Sequence, residues 1–316
     1  MEKNFLYKAF IIIFIYSSIS LPQTKIKKAD LLQNFNLAVK HSNAEQTWKM
    51  ETRVIYYSLN GERTGEDVYR LYLKCNPSNA DSQKGDKYTC IKYTLQYNNG
   101  SEVEIPSLKN WSYIFDTSPN GQGIEMFGIN HSKFDNLIDA NGKSLPPDKN
   151  YLIYNSFIDF HAMCNVFSER VYDGNGIQDL HKIGQKIIHA SANSEVPIEL
   201  GGNIEKGSYF RNGKITLELE GLSLVKNQVC ALLKYDSGES SFKMIMKPMP
   251  NMEVSTSGSS HYRGDIYKDM NTGWVQRATL NELVVSQTDL SFQQQKITSV
   301  IEREIELDNI TGDNNY

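Results

Sequence analysis

From Tyr209 onward, apolar and polar residues alternate with a period of two, and turn residues break the alternation at short intervals. That pattern predicts strands that bury one face. They fall at Lys214–Glu220, Gln228–Tyr235, Phe242–Met249, Asn251–Lys268, Trp274–Ser286 and Lys296–Leu307, with Asp269–Gly273 as a Gly-closed hairpin loop. The same rhythm marks an earlier stretch, with strands at Thr47–Ser58, Glu66–Cys75, Tyr88–Tyr97, Ser101–Ile105, Trp111–Phe115 and Gly123–Ile129. Asn60-Gly61 and Asn98-Asn99-Gly100 supply its turns.

Two stretches carry a helical period instead. Leu31, Leu32, Phe35, Ala38 and Val39 predict an amphipathic helix over Lys27–Lys40. Phe157, Phe160, Cys164 and Phe167 predict a buried helix of about three turns over 155–167, capped by Asn155 or Ser156. The run 141–150 (NGKSLPPDKN) reads as a loop. The expected fold class is therefore mainly β: antiparallel curved sheets, half-barrel or sandwich-like, with an N-terminal helix and a helical insertion. The expected organisation is a signal peptide (1–20), an N-terminal helix (21–46) and a first β-rich lobe (47–140). A helical and irregular middle (141–205), a second β-rich meander lobe (206–310) and a disordered tail (311–316) follow.

The chain has 316 residues, 40% hydrophobic and 22% charged, with 18 Tyr and 13 Phe. That balance suits a globular protein of sheets and turns. The net charge is −4 and no basic stripe is present, which excludes nucleic acid as a partner. Lys3 and Lys8 precede the apolar run Ala9–Tyr16, too short to span a bilayer, and Ser18 and Ser20 follow it. This is a signal-peptide pattern with cleavage after Ser20; losing two lysines and one glutamate takes the net charge from −4 to −5. The expectation is an exported protein, in the periplasm, on the outer surface or outside the cell, and not integral to the membrane after cleavage.

Export changes the reading of the four cysteines, Cys75, Cys90, Cys164 and Cys230. Cys75 ends one predicted strand and Cys90 lies in the next, with a polar loop between. A Cys75–Cys90 disulfide would clamp that loop, worth about 3 kcal/mol on the chain-entropy account. Cys164 and Cys230 either pair with each other or remain buried thiols.

The segment around Cys90 (TCIKYTLQYNNGSEVEI) echoes that around Cys230 (VCALLKYDSGESSFKMI), as two related lobes would. The strand–turn–strand rhythm of residues 206–310 resembles the curved half-barrel sheets of exported bacterial lipid and lipoprotein carriers. The resemblance implies a ligand-holding sheet and supplies no functional residues.

Candidate chemistry is sparse. No GxSxG, HExxH, Walker or GxGxxG motif occurs. Asp159, His161 and Cys164 in DFHAMC look superficially like ligands, but Cys164 belongs to the apolar stripe and no second ligand pair completes a zinc site. No metal or cofactor is expected. Phe242, Met244 and Met246 share one side of a strand, which fits cavity lining better than copper ligation. Arg263-Gly264-Asp265 lies inside a strand, where register would place Asp265 opposite Arg277 as an ion pair and Gly264 opposite Ala278 as a shallow spot. The ligand-cavity candidates are thus Phe242, Met244, Met246, Tyr262, Gly264 and Trp274. The expected function is an exported non-catalytic binding protein that holds an apolar or lipid-like molecule on a curved sheet. The alternatives are a structural or surface-assembly protein without small ligand, or an unrecognised secreted hydrolase.

Overall fold

A computed structural model describes residues 27, 33–78, 85–116, 125–197, 204–249, 252–290 and 295–313. The signal segment, the start of the N-terminal helix (28–32) and the end of the tail lie outside the described residues. In chain order the strands are β1 (Gln46–Tyr57), β2 (Arg63–Asn76), β3 (Lys87–Tyr97), β4 (Glu102–Glu104), β5 (Ser112–Ile114), β6 (Glu125–Met126) and β7 (Ile129–Asn130). After helix α1 (Pro147–His161) come β8 (Lys186–Ile188), β9 (Glu195–Pro197), β10 (Tyr209–Arg211), β11 (Thr216–Val225) and β12 (Gln228–Asp236). Strands β13 (Ser240–Met249), β14 (Met252–Asp269), β15 (Val275–Leu290) and β16 (Gln295–Asn309) complete the chain.

All strands except the β6–β7 hairpin join one curved antiparallel sheet, whose central order is β4-β3-β2-β1-β16-β15-β14-β12-β11-β8. The last strand pairs with the first: β16 runs beside β1 from Trp48–Asn309 to Tyr57–Val300. Strand β14 is long enough to pair with β12 along one half and β13 along the other. Its partner strand is broken by Ser237, whose hydroxyl accepts from Tyr262 N–H, and by Gly238 at φ +60. Two-residue turns at Asn98-Asn99 and Lys226-Asn227 take the left-handed backbone that matches strand twist.

Helix α1 packs on the inner face of this sheet. Phe157 and Phe160 are fully buried; Phe157 stacks on Tyr93 at 6.0 Å and Phe160 meets Trp48 edge-on at 5.4 Å. Each such ring buried contributes about 1.5–3 kcal/mol. The helix begins eight residues before Asn155, because Pro147 stands at its first position, where a preset φ and a missing N–H cost nothing. The loop expected over 141–150 therefore gives way to helix at Pro147. Ser156 is not a cap; inside the helix it bonds Leu152 O and the Tyr93 hydroxyl. A single π-turn (Ala162–Val166) ends the helix and carries Cys164 and Phe167 into the core.

Four further expectations are corrected. Residues 34–40 are not helical: Phe35 and Leu37 are buried at alternate positions of an extended strap, and Phe35 N–H donates to His181 O. Two-residue alternation satisfies that strap as well as a helical period does. Cys75 and Cys90 form no disulfide; all four cysteines are free and buried. The reason is register: Cys75 faces Tyr88 and Cys90 faces Leu73, so the two sit on a diagonal. Diagonal neighbours lie roughly 7–8 Å apart, beyond disulfide reach. Asp265 does not face Arg277; the ladder opens at Lys268–Val275, and one extra residue on β15 then sets Tyr267 opposite Arg277. The same two-residue offset puts Ala278 opposite Ile266 rather than Gly264.

Gly264 still marks a close approach. A Cβ there would lie 1.8 Å from Thr279 O and 2.7 Å from the Tyr235 hydroxyl, which donates to that same carbonyl at 2.7 Å. The Tyr235 ring stacks on Phe167 at 5.0 Å, so the gap is filled by the end of the helical segment. Gly264→Val is expected to lower stability by about 1–3 kcal/mol through overpacking, read as a lower melting temperature. An unchanged melting temperature would show that the strands yield at no cost.

Candidate functional site

Strict alternation along β14, β15 and β16 divides their side chains between two faces. Arg303 faces α1, where it bonds Asp159, and Glu282 bonds the same guanidinium from the neighbouring strand. Val284, Ser286, Thr288 and Leu290 follow on the same face of β15, and Ile301, Ser299 and Ile297 on the same face of β16. On β14, Ser260 bonds Glu282 and Thr256 bonds Thr288 at 2.9 Å, which puts Gly258 and Val254 on this face too. The edge strand β13 adds Phe242 opposite Gly258, Met244 opposite Thr256 and Met246 opposite Val254. The Phe242 ring lies over Gly258, where a Cβ would come within 2.8 Å of it.

The strands therefore run on past the helix and carry an apolar, hydroxyl-bearing inner face with them. Phe242, Met244, Met246, Val284 and Ile301 are half-buried, and Ile297 is 43% exposed. Of the sequence candidates, Phe242, Met244, Met246 and Tyr262 share this face. Gly264 lies deeper, under Tyr235. Trp274 lies beyond the β14–β15 turn, stacked on His41 at 3.8 Å and edge-on to Trp48, away from the other candidates. Two clefts open elsewhere. One, of about 390 Å³, is lined by residues including Trp111, Tyr113, Asp116 and Asn130. The other, of about 450 Å³, is polar, lies on the opposite face of β13–β16 and is lined by residues including Lys243, Ser257, Gln287 and Lys296.

Where the open face meets the helix, buried charge begins. Arg303 donates to Glu282 through Nη1 and to Asp159 of α1 through Nη2. Asn155, with its amide oxygen turned toward the guanidinium, accepts from both terminal nitrogens at 3.2 and 3.3 Å. Burial pushes the Asp159 carboxyl up to about 6, against the pull of Arg303 and with the push of Glu282. A second pair holds the other end of the helix: Lys149 Nζ reaches Asp67 at 2.6 Å and the Tyr56 hydroxyl at 2.7 Å.

A third network pins the strap. His41 Nε2 lies 2.8 Å from Asp86 and 3.8 Å from Glu169. Burial opposes its proton, but the Asp86 hydrogen bond and the Glu169 charge outweigh burial and raise its pKa above the usual value. Asn165 donates to Glu169 at 3.0 Å and meets His161 Nδ1 at 2.8 Å, while His161 Nε2 meets the Tyr113 hydroxyl at 2.7 Å. Complete burial drives the His161 pKa down to about 3, so it is a neutral core hydrogen-bonding group. Cys164 is likewise buried, its thiol pKa well raised by desolvation.

Sequence reasoning missed Arg303, Glu282, Lys149, Asp67 and His41. A charge inside an alternating strand, at a position of apolar parity, is the signal that was available: Arg303 sits between Ile301 and Ile305 on the inner face, and Glu282 between Leu280 and Val284. Asp159 and His161 diverge, as residues two apart on a helix do; the partner of Asp159 comes from a strand 144 residues away.

Arg303→Met would strand two buried carboxylates and is expected to cost about 3–5 kcal/mol, measured by denaturant unfolding. Asp159→Asn keeps Glu282 on the guanidinium and should cost much less. Because the Asp159 pKa is higher folded than unfolded, its contribution favours the fold below about 3.8 and is lost as pH rises through about 6. Asp159→Asn should remove that slope; a wild-type slope surviving in the variant would assign it to another group. His41 works with the same sign: its contribution is full below 6.5 and fades as pH climbs through its raised folded value. His41→Gln should flatten the stability profile above pH 6.5.

No family model matches the sequence, and no curated protein does. Among solved structures, a crystal structure from Vibrio parahaemolyticus, provisionally described as an outer membrane lipoprotein-sorting protein domain, is 8% identical. The match covers 84% of this chain and 86% of that one at a TM-score of 0.15. A likeness that slight identifies neither family nor function.

Proposed function

We propose that the protein is an exported, non-catalytic binding protein that holds an apolar or amphipathic ligand on the inner face of β13–β16, beyond α1. The observation supporting this is the continuation of that face past the helix, where Phe242, Met244, Met246, Val284, Ile301 and Ile297 are left half-buried or exposed. Apolar surface grouped in this way lowers its free energy by taking a partner. Export rests on the leader pattern of residues 1–20. Free thiols are compatible with it, since burial raises the pKa of all four cysteines and keeps them protonated and unreactive. Among the described residues, no helix is long and apolar enough to cross a membrane.

One observation favours a second reading. The space between α1 and the sheet is filled by buried side chains such as Phe157, Phe160 and Trp48, so no ligand enters there. The open face would then dock another chain, as in surface assembly.

Titration of residues 21–316 with the neutral fluorophore Nile red separates the two. Saturable binding by the monomer is expected, weakened at least about tenfold (1.4 kcal/mol) by Ile297→Asp or Met244→Asp. At so exposed a site as Ile297, stability should move by no more than about 0.5 kcal/mol. No binding by a monomer, with concentration-dependent assembly in native mass spectrometry, would hand the face to the second reading.

A further inference from the structure

We infer that the ligand of this face is an uncharged, hydroxyl-bearing amphiphile of the monoacylglycerol class, with its head at the Arg303 end and its chain along β13–β16. The inference rests on the binding reading above and adds the chemistry of the head group.

Two observations at that end select it. The first is charge. Glu282 and Asp159 share the single guanidinium of Arg303, so the group carries one excess negative charge. Val284 and Ile301, where the apolar face begins, are two residues along their strands from Glu282 and Arg303, about 7 Å at the usual rise. That is within screening range, and the low dielectric of a buried site amplifies it. A carboxylate or phosphate head placed there is repelled. Lys149, near Asp67 on this row, is paired with both Asp67 and Asp148 and supplies no compensating cation.

The second observation is an orphan donor. Arg303 is 7% exposed, and its Nε has no hydrogen-bond partner although both terminal nitrogens are engaged. A buried N–H without an acceptor is costly, and a head-group oxygen would satisfy it. An ammonium head brings a donor and no acceptor, so it would leave Nε unpaired. A hydroxyl or ester head brings oxygen without charge. Among the apolar side chains further along, Ser286 stands opposite Ser299 and Thr256 bonds Thr288, hydroxyls that offer polar contacts to the glycerol and ester oxygens. From Val284 to Leu290 the face runs about 20 Å, room for a long acyl chain.

The test is competition against Nile red at pH 8 with three ligands of equal chain length: 1-oleoylglycerol, oleate and oleylamine. The expected result is displacement by 1-oleoylglycerol at least about tenfold tighter than by either charged ligand. Glu282→Gln, checked for an unchanged melting transition, removes the excess charge and should bring oleate several-fold closer to 1-oleoylglycerol. Oleate binding the wild type as tightly as 1-oleoylglycerol, or oleylamine binding best, overturns the head-group inference and leaves the binding reading standing. A wild-type preference that Glu282→Gln does not narrow overturns the charge argument. If Nile red itself fails to bind, the binding reading falls first.

Discussion

A guanidinium held between two carboxylates, with all three groups withdrawn from water, sets how the helix meets the sheet. Arg303 belongs to the last strand, Glu282 to the one before it and Asp159 to α1. Apolar packing alone would let a helix slide along a pleated face, because rings such as Phe157 and Phe160 find similar contacts at neighbouring positions. Buried charges do not tolerate sliding, since a displaced partner leaves a carboxylate unpaired at a cost of several kcal/mol. Lys149 and Asp67 repeat the constraint near the other end of the helix, so α1 is held at two points along its length. The helix is thereby fixed on the row of Arg303 and Asp67, and Val284 and Ile301, further along their strands, are left half-buried.

Much of the fold was legible because strand alternation is a local signal. Lys296–Leu307 reads as a strand from its own residues and lies within β16, and the turns at Asn60-Gly61, Asn98-Asn99 and Gly273 follow from residues that accept a left-handed backbone. What was illegible depends on partners far away in the chain. The extra residue in β15 that displaces Arg277 from Asp265 leaves no compositional trace. Cys75 and Cys90 lie on neighbouring strands as expected, and only register decides that they sit diagonally. The strap at Phe35 and Leu37 was read as helix because a short apolar pattern of mixed spacing serves both conformations; its contacts with His181, Asp86 and Trp274 decide the matter.

The candidate site was half legible. Phe242, Met244 and Met246 announce an apolar face by their spacing, and the structure puts them on one face with Tyr262. The charged residues that bound that face were passed over because single charges in strands usually face water. Parity argues otherwise for Glu282 and Arg303, which occupy positions that the alternation reserves for the interior. Trp274 went astray for the opposite reason: its parity was suitable, but it stands past the turn, where the strap covers it.

The pairing of β16 with β1 has a consequence for how the molecule is made. Thr47 N–H bonds Thr311 Oγ1 across 264 residues, so the middle seam of the sheet joins its first described strand to its last. During synthesis, β1 presents a bare edge until β16 has emerged, and closing so large a loop is slow. A chain that cannot finish its sheet early stays unfolded for longer and depends on something to shield that edge in the meantime. The seam forms only when β16 arrives beside β1.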